Sequence, residues 1–191
     1  MTGGIFGGRT LRAPAGRGVR PTTDRVREAT FARLGALGGA RVLDLYAGTG
    51  ALGIEALSRG AASVVFVERA RASLDALRRN LAALGLGESV RIVARDVAAA
   101  VADLGRAGEL FDLVLLDPPY ETGEDERTLR AVMAARILAP GALLVVERSR
   151  RHALPPISGL ALQDERRYGD TIVSRLAAAD DGEAKGGKDD R

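Results

Sequence analysis

The sequence predicts an α/β protein built on a doubly wound, mostly parallel sheet with helices on both faces. Three observations carry this reading. Short apolar runs alternate with segments of helical spacing from residue 41 onward; the first run feeds a glycine-rich turn; and near the end the rhythm changes to two runs separated by a turn.

Residues 1–20 hold six Gly and four Arg with no sustained apolar stripe. Ile5-Phe6, Gly7-Gly8 and Arg9-Thr10-Leu11 suit a short hairpin, and an unstructured start fits the same composition. Pro21-Thr22-Thr23-Asp24 then signals a helix, with hydroxyls to cap it and Val26, Thr30, Leu34 and Leu37 as its apolar spacing. Residues 42–45 form the first strand, and residues 51–59 a helix closed by Gly60. Residues 63–67 are a buried strand ending at Glu68. The helix over 70–84 puts Leu74, Leu77, Leu81 and Leu84 on one face. Residues 90–93 are a third strand that stops near Asp96, and 97–104 an Ala-rich helix. Residues 111–116 are a fourth strand, broken by Pro118-Pro119. Leu129, Val132, Met133 and Ile137 mark a helix stopped by Pro140-Gly141, and 142–146 are a fifth strand. Residues 160–167 and 171–176, joined by Tyr168-Gly169-Asp170, read as a terminal hairpin. Three segments follow: a basic arm or hairpin over 1–20, one domain over 21–179, and an unstructured tail over 180–191.

Composition narrows the chemistry. The chain has 191 residues, and 55 apolar side chains larger than Ala are enough for one core. Its net charge is only +3, yet residues 1–41 carry eight Arg against Asp24 and Glu28, a local balance of +6 with no Lys. Guanidinium binds phosphate through a planar fork and stacks on bases, so Arg9, Arg12, Arg17, Arg20 and Arg25 are candidate RNA contacts. No Cys is present, which excludes disulfides, thiolate metal sites and cysteine nucleophiles. His152 is the only histidine, which argues against a histidine metal cluster or triad, and no metal is expected. Neither a signal peptide nor an apolar run of roughly 20 residues occurs, so a cytoplasmic protein without membrane contact is expected.

Ligands of a doubly wound sheet bind at the carboxyl ends of its parallel strands. Asp44 closes the first strand ahead of Gly48-Thr49-Gly50-Ala51-Leu52-Gly53, a literal G-x-G-x-x-G. Gly48 and Gly50 let the backbone approach a ligand, and the next helix offers its N–H groups. Alone, the pattern fits NAD, flavin or S-adenosylmethionine (SAM). Asp44, four residues ahead of the first Gly, suits an ammonium or sulfonium better than a pyrophosphate. Glu68 is placed for ribose hydroxyls and Asp96 for an adenine amino group, although a strand-end acid also serves to cap the next helix. Tyr46 is a packing or cofactor-loop residue. After the fourth strand stands Asp117-Pro118-Pro119-Tyr120. Consecutive prolines stiffen the turn and leave carbonyls unpaired. Asp117 and the Pro118 carbonyl can accept from a substrate NH₂, and Tyr120 offers a face for a flipped-out base.

Together, Asp44-Leu45-Tyr46-Ala47-Gly48-Thr49-Gly50 and Asp117-Pro118-Pro119-Tyr120 resemble the SAM-dependent methyltransferases of exocyclic amines. Arg20-Pro21-Thr22-Thr23-Asp24-Arg25-Val26-Arg27-Glu28, with residues 51–60 and Tyr168-Gly169-Asp170, narrows the likeness to the RsmD family of bacterial methyltransferases acting on guanine N2 in small-subunit ribosomal RNA. The resemblance implies a Rossmann-like, class I SAM-dependent methyltransferase fold with a seven-stranded sheet whose last strand is antiparallel. It also implies SAM over Asp44, Tyr46, Gly48, Gly50, Glu68 and Asp96, and a guanine held by Asp117, Pro118, Pro119 and Tyr120. The expected partner is 16S RNA in an assembled or assembling 30S subunit, bound by a monomer whose arm grips the RNA. Lack of Cys independently excludes thiolate-adduct methylation of pyrimidine carbon. The competing readings are a DNA adenine-N6 methyltransferase, a glutamine methyltransferase (whose tetrad begins with Asn) and a non-catalytic RNA-binding protein of the same fold. If the arm serves only RNA, removing residues 1–20 weakens RNA binding far more than SAM binding.

Overall fold

Apolar side chains alternate between the two faces of each central strand, so the sheet has to be covered on both sides. The computed structural model describes residues 1–13, 21–119 and 123–179. Expectations for Arg17, Arg20, Tyr120 and the 180–191 tail lie outside the described residues.

The elements run α1 (Pro21–Leu34), β1 (Arg41–Leu45), α2 (Ala51–Ser58), β2 (Ser63–Val67), α3 (Arg71–Ala83), β3 (Val90–Val93), α4 (Val97–Arg106), β4 (Phe111–Leu116), α5 (Glu124–Ala135), β5 (Leu138–Ser149), β6 (Leu160–Tyr168) and β7 (Thr171–Ala178). The strand order is β3-β2-β1-β4-β5-β7-β6. Strands β1 to β5 are parallel, and β7, the last in the chain, is antiparallel between β5 and β6. This is the expected seven-stranded methyltransferase-type sheet.

Alternation sorts the core into two layers. Leu43, Leu45, Val65, Val67, Val114 and Leu116 pack with Val101 of α4 and Leu129 and Val132 of α5. Val42, Val64, Phe66, Leu113 and Leu115 pack with Phe31 of α1, Ile54 of α2 and Leu77 and Leu81 of α3. Burying each such side chain stabilises the fold by about 1.5–3 kcal/mol before chain entropy is counted. Direction reverses between β1 and β4: from β1 the chain proceeds to β2 and β3 on one side, and β4 and β5 lie on the other. That is the topological switch point where a crevice opens.

Two local expectations differ from the structure. Pro140-Gly141 does not stop α5, which ends at Arg136 in the left-handed conformation (φ 53°). The dipeptide instead lies inside β5, in a bulge where pairing jumps from Phe111↔Leu138 to Leu113↔Leu143. Proline has no N–H to give a ladder, so an exposed bulge tolerates it. Nor does α1 wait for its threonines, since the helix begins at Pro21, whose fixed φ suits a first helical position.

The hairpin expected in the arm is also absent: among residues 1–13 the regular element is a 3-10 turn at Gly4–Phe6. The segment is stapled to the domain by buried polar side chains of α2 and α3. Thr2 donates its N–H (2.9 Å) and Oγ1 hydroxyl (2.7 Å) to Glu55. Ser58 Oγ accepts from Phe6 N–H at 2.9 Å and donates to the Gly3 carbonyl at 2.5 Å. Asn80 Oδ1 accepts from Arg12 N–H at 2.8 Å, while its Nδ2 donates to the carbonyls of Arg12 (3.1 Å) and Thr49 (3.0 Å). Burial pushes the Glu55 carboxyl up, but the bonds from Thr2 and Arg59 outweigh it and leave the group below its ordinary pKa.

A truncation lacking residues 1–12 therefore strips partners from a buried carboxylate, and hydrogen bonds to charged groups contribute about 1.5–3 kcal/mol each. The expected result by calorimetry is a midpoint lowered by about 5–10 °C. An unchanged midpoint would make the arm a separate RNA element, as composition alone suggests.

Candidate functional site

Leu45 and Leu116, the last residues of β1 and β4, are paired neighbours at the centre of the sheet. The chain segments that follow, starting at Tyr46 and Asp117, therefore leave the sheet side by side at the switch point. Glu68 follows β2, and Asp96 opens α4 after β3. The structure thus brings the strand-end acids to one rim of the sheet.

Asp44 lies on the α2 side and is 1% exposed. Its Oδ2 accepts from Gly53 N–H in the first turn of α2 at 2.9 Å. Burial raises its pKa to about 7, opposed by the Gly53 bond and reinforced by the charges of Asp117 and Glu68. Mutually repelling carboxylates around a buried one form a site short of positive charge. Glu68 acts as a clasp, with Oε2 accepting from Gly48 N–H at 2.9 Å and Oε1 from the N–H groups of Arg69 (2.8 Å) and Ala70 (2.7 Å). Asp96 caps α4 through Ala98 N–H at 3.0 Å, and its Oδ2 accepts from Arg69 at 3.2 Å. It is exposed, so that ion pair contributes little and is readily exchanged for another donor.

The three glycines of the loop do different work. A side chain on Gly48 (φ +56°) would meet nothing closer than the Tyr46 carbonyl at 3.9 Å. Its bare backbone faces open space. By contrast, a Cβ on Gly50 would lie 2.4 Å from Leu77 Cδ1, and one on Gly53 would lie 2.4 Å from Phe66 and 2.9 Å from Asp44 Oδ2. Gly50, read from sequence as a ligand-approach glycine, is bare because α3 packs against it. Gly53 is bare so that Asp44 can reach the helix.

Tyr46 takes a left-handed backbone (φ 61°), rare for an aromatic residue. Its hydroxyl lies 2.7 Å from Thr128 Oγ1 and donates to Glu124 Oε2 at 3.2 Å, both on α5. Burial pushes the phenol pKa up, the Thr128 bond opposes, and Glu124 adds to the rise. Of the target-holding segment, Asp117 is exposed, Pro118 buried and Pro119 exposed. Arg9, Arg12 and Arg25 are exposed, and none pairs with an acid among the described residues. No described helix is long and apolar enough to cross a membrane.

Sequence reasoning missed Glu55, Ser58 and Asn80, which fasten the arm, and the α5 partners of Tyr46. One signal was available: Glu55 is a lone acid inside the otherwise apolar Ala51–Ser58 helix. Asn80 likewise sits among the leucines of α3.

Comparison with known proteins adds the following. Residues 1–177 match the family described as Conserved hypothetical protein 95. Ribosomal RNA small subunit methyltransferase D of Escherichia coli K12 is 40% identical over 158 residues, covering 82% of this chain and 78% of that protein. A Bacillus subtilis candidate rRNA methyltransferase, YlbH, is 36% identical over 169 residues, covering 87% and 92%. A solved Escherichia coli chain described as a candidate methyltransferase, yhhF, superposes with a TM-score of 0.80 at 36% identity, covering 92% of this chain and 95% of that one.

Proposed function

Because this chain belongs to the RsmD family, the one described as Conserved hypothetical protein 95, we propose that it transfers a methyl group from SAM to N2 of a guanine in small-subunit ribosomal RNA. The position that the family resemblance indicates is guanine-966 of 16S RNA. The observation that carries the reading is the buried Asp44, raised to about pH 7 by burial and by Asp117 and Glu68, beside a loop whose Gly48 backbone is open. A cationic cofactor relieves that repulsion; a pyrophosphate would worsen it.

Bound SAM supplies an electrophilic methyl on a sulfonium, so the protein's task is positioning and charge. Asp44 spends Oδ2 on Gly53 and keeps Oδ1 for the ligand's positive end. Glu68 receives three N–H bonds, and a carboxylate offers about four acceptor positions, which leaves room for ribose hydroxyls. Asp96 exchanges Arg69 for the adenine amino group, and Gly50 shapes the loop beneath. Asp117 and the Pro118 carbonyl accept from the two N2–H groups of guanine, so the nitrogen lone pair is aimed at the methyl. As the N–C bond forms, the charge developing on nitrogen meets the Asp117 carboxylate, through which the proton leaves to water. Tyr120 stacks on the base. Arg9, Arg12, Arg17, Arg20 and Arg25 grip phosphates of RNA within the assembling or assembled subunit.

Labelled SAM offered with small subunits, free 16S RNA and duplex DNA tests this. The expected result is saturable SAM binding and label in ribosomal RNA, greatest with subunits. Label in duplex DNA alone would favour the adenine-N6 reading, and failure to bind SAM would leave a non-catalytic RNA-binding protein.

A further inference from the structure

We propose that Tyr46 is a positioning residue: its hydroxyl ties the first turn of α5 to the end of β1, fixing the segment after Asp117 against the cofactor loop. The inference rests on the methyl-transfer reading above and assigns Tyr46 to target handling instead of cofactor contact.

The geometry is asymmetric in a useful way. Tyr46 and Asp117 follow paired residues of neighbouring strands, so both start at the same place on the sheet. The chain leaves β4 through Asp117-Pro118-Pro119 and re-enters regular structure at Glu124. Where α5 begins therefore limits where that segment can run. Tyr46 reaches α5 only because its backbone is left-handed (φ 61°), which turns the residue out of the strand path. Glu124 can only accept, so Tyr46 gives it the phenolic proton and takes one from the buried Thr128 hydroxyl. Arg127 holds the other Glu124 oxygen at 2.6 Å, which orients the carboxylate. None of the bonds that set Asp44, Glu68 or Gly48 passes through this hydroxyl. Removing it should separate target handling from cofactor binding.

The test compares Tyr46→Phe, Thr128→Val and the double variant in the full chain. Hydrogen exchange is read at Arg127, whose amide bonds to the Gly123 carbonyl at 3.0 Å, and at Thr128. Affinity for S-adenosylhomocysteine is read by calorimetry, and kcat and KM with small subunits by label transfer. The clamp predicts about three- to tenfold faster exchange in the first turn of α5 and a similar fall in kcat. It also predicts cofactor affinity within about twofold, and a double variant no worse than the worse single one, as for two members of one chain of bonds. Loss of cofactor affinity in step with kcat would make Tyr46 a cofactor contact and overturn the proposal. Unchanged exchange would overturn it as well. If the wild-type chain methylates no RNA, the methyl-transfer reading falls alone, and the exchange comparison still decides the clamp.

Discussion

Asp117→Asn should bind SAM about as well as the wild type and transfer methyl groups roughly 10²–10⁴-fold more slowly, the usual range for losing a positioned proton acceptor. The amide keeps the shape of the side chain but presents no negative charge to the nitrogen as it becomes cationic, and it cannot take the proton. A second consequence separates this account from simple damage to the site. Asp117 is one of the charges that raise Asp44, so its neutralisation lowers the Asp44 pKa. The pH dependence of cofactor binding in Asp117→Asn should therefore move to lower pH, measured by calorimetry across pH 5.5–8.5 as an arbitrary working window of about three units. Transfer persisting near the wild-type rate would remove Asp117 from the chemistry.

Asp44→Asn should do the reverse: weaken SAM binding by about 100-fold and make the empty protein more stable at alkaline pH. The sign follows from linkage. The ordinary value for this carboxyl is 3.8 and the folded value is about 7, so between them the native state holds a proton that the unfolded chain has lost. Stability from this group is full at low pH and falls as pH rises toward 7; beyond that the cost stays constant. Because one unit corresponds to 1.36 kcal/mol, the cost at pH 8 is on the order of 2–4 kcal/mol. Asparagine can still accept from Gly53 N–H but carries no charge, and its midpoint at pH 8 should rise by about 5 °C or more. Cofactor affinity of the wild type should increase with pH through 7 as Asp44 ionises, and that slope should vanish in the variant. A variant less stable than wild type at pH 8 would show that the carboxylate is a structural anchor. A protein that retains a destabilising group at its ligand site trades stability for function.

Much of this architecture was legible because its cause is local. β2, β3 and β4 are short apolar runs ended by an acid or proline, and both ends were readable for that reason. The terminal hairpin announced itself through Tyr168-Gly169-Asp170, and the strand-end acids through their position. What escaped depends on distant partners. Pro140-Gly141 reads as a stop, yet a bulge admits it because β4 pairs with the residues on either side. The start of α5 at Glu124 was hidden because its first turn is acidic and carries no apolar spacing. Gly48, Gly50 and Gly53 look alike in a motif, and only the atoms around each one divide ligand approach from packing. The arm shows the limit most plainly. Its arginines advertise phosphate, while its backbone is held by Glu55, Ser58 and Asn80, more than forty positions away in every case. RNA grip and structural support therefore share one segment.

The most direct measurement is the chemical identity of the product. Small subunits lacking the modification are incubated with the purified chain and SAM, and the 16S RNA is digested and mapped by mass spectrometry. The account predicts one added methyl, on N2 of a single guanine, absent with Asp117→Asn. A methyl on adenine, cytosine or a ring carbon, or one that appears equally with the variant, would contradict it.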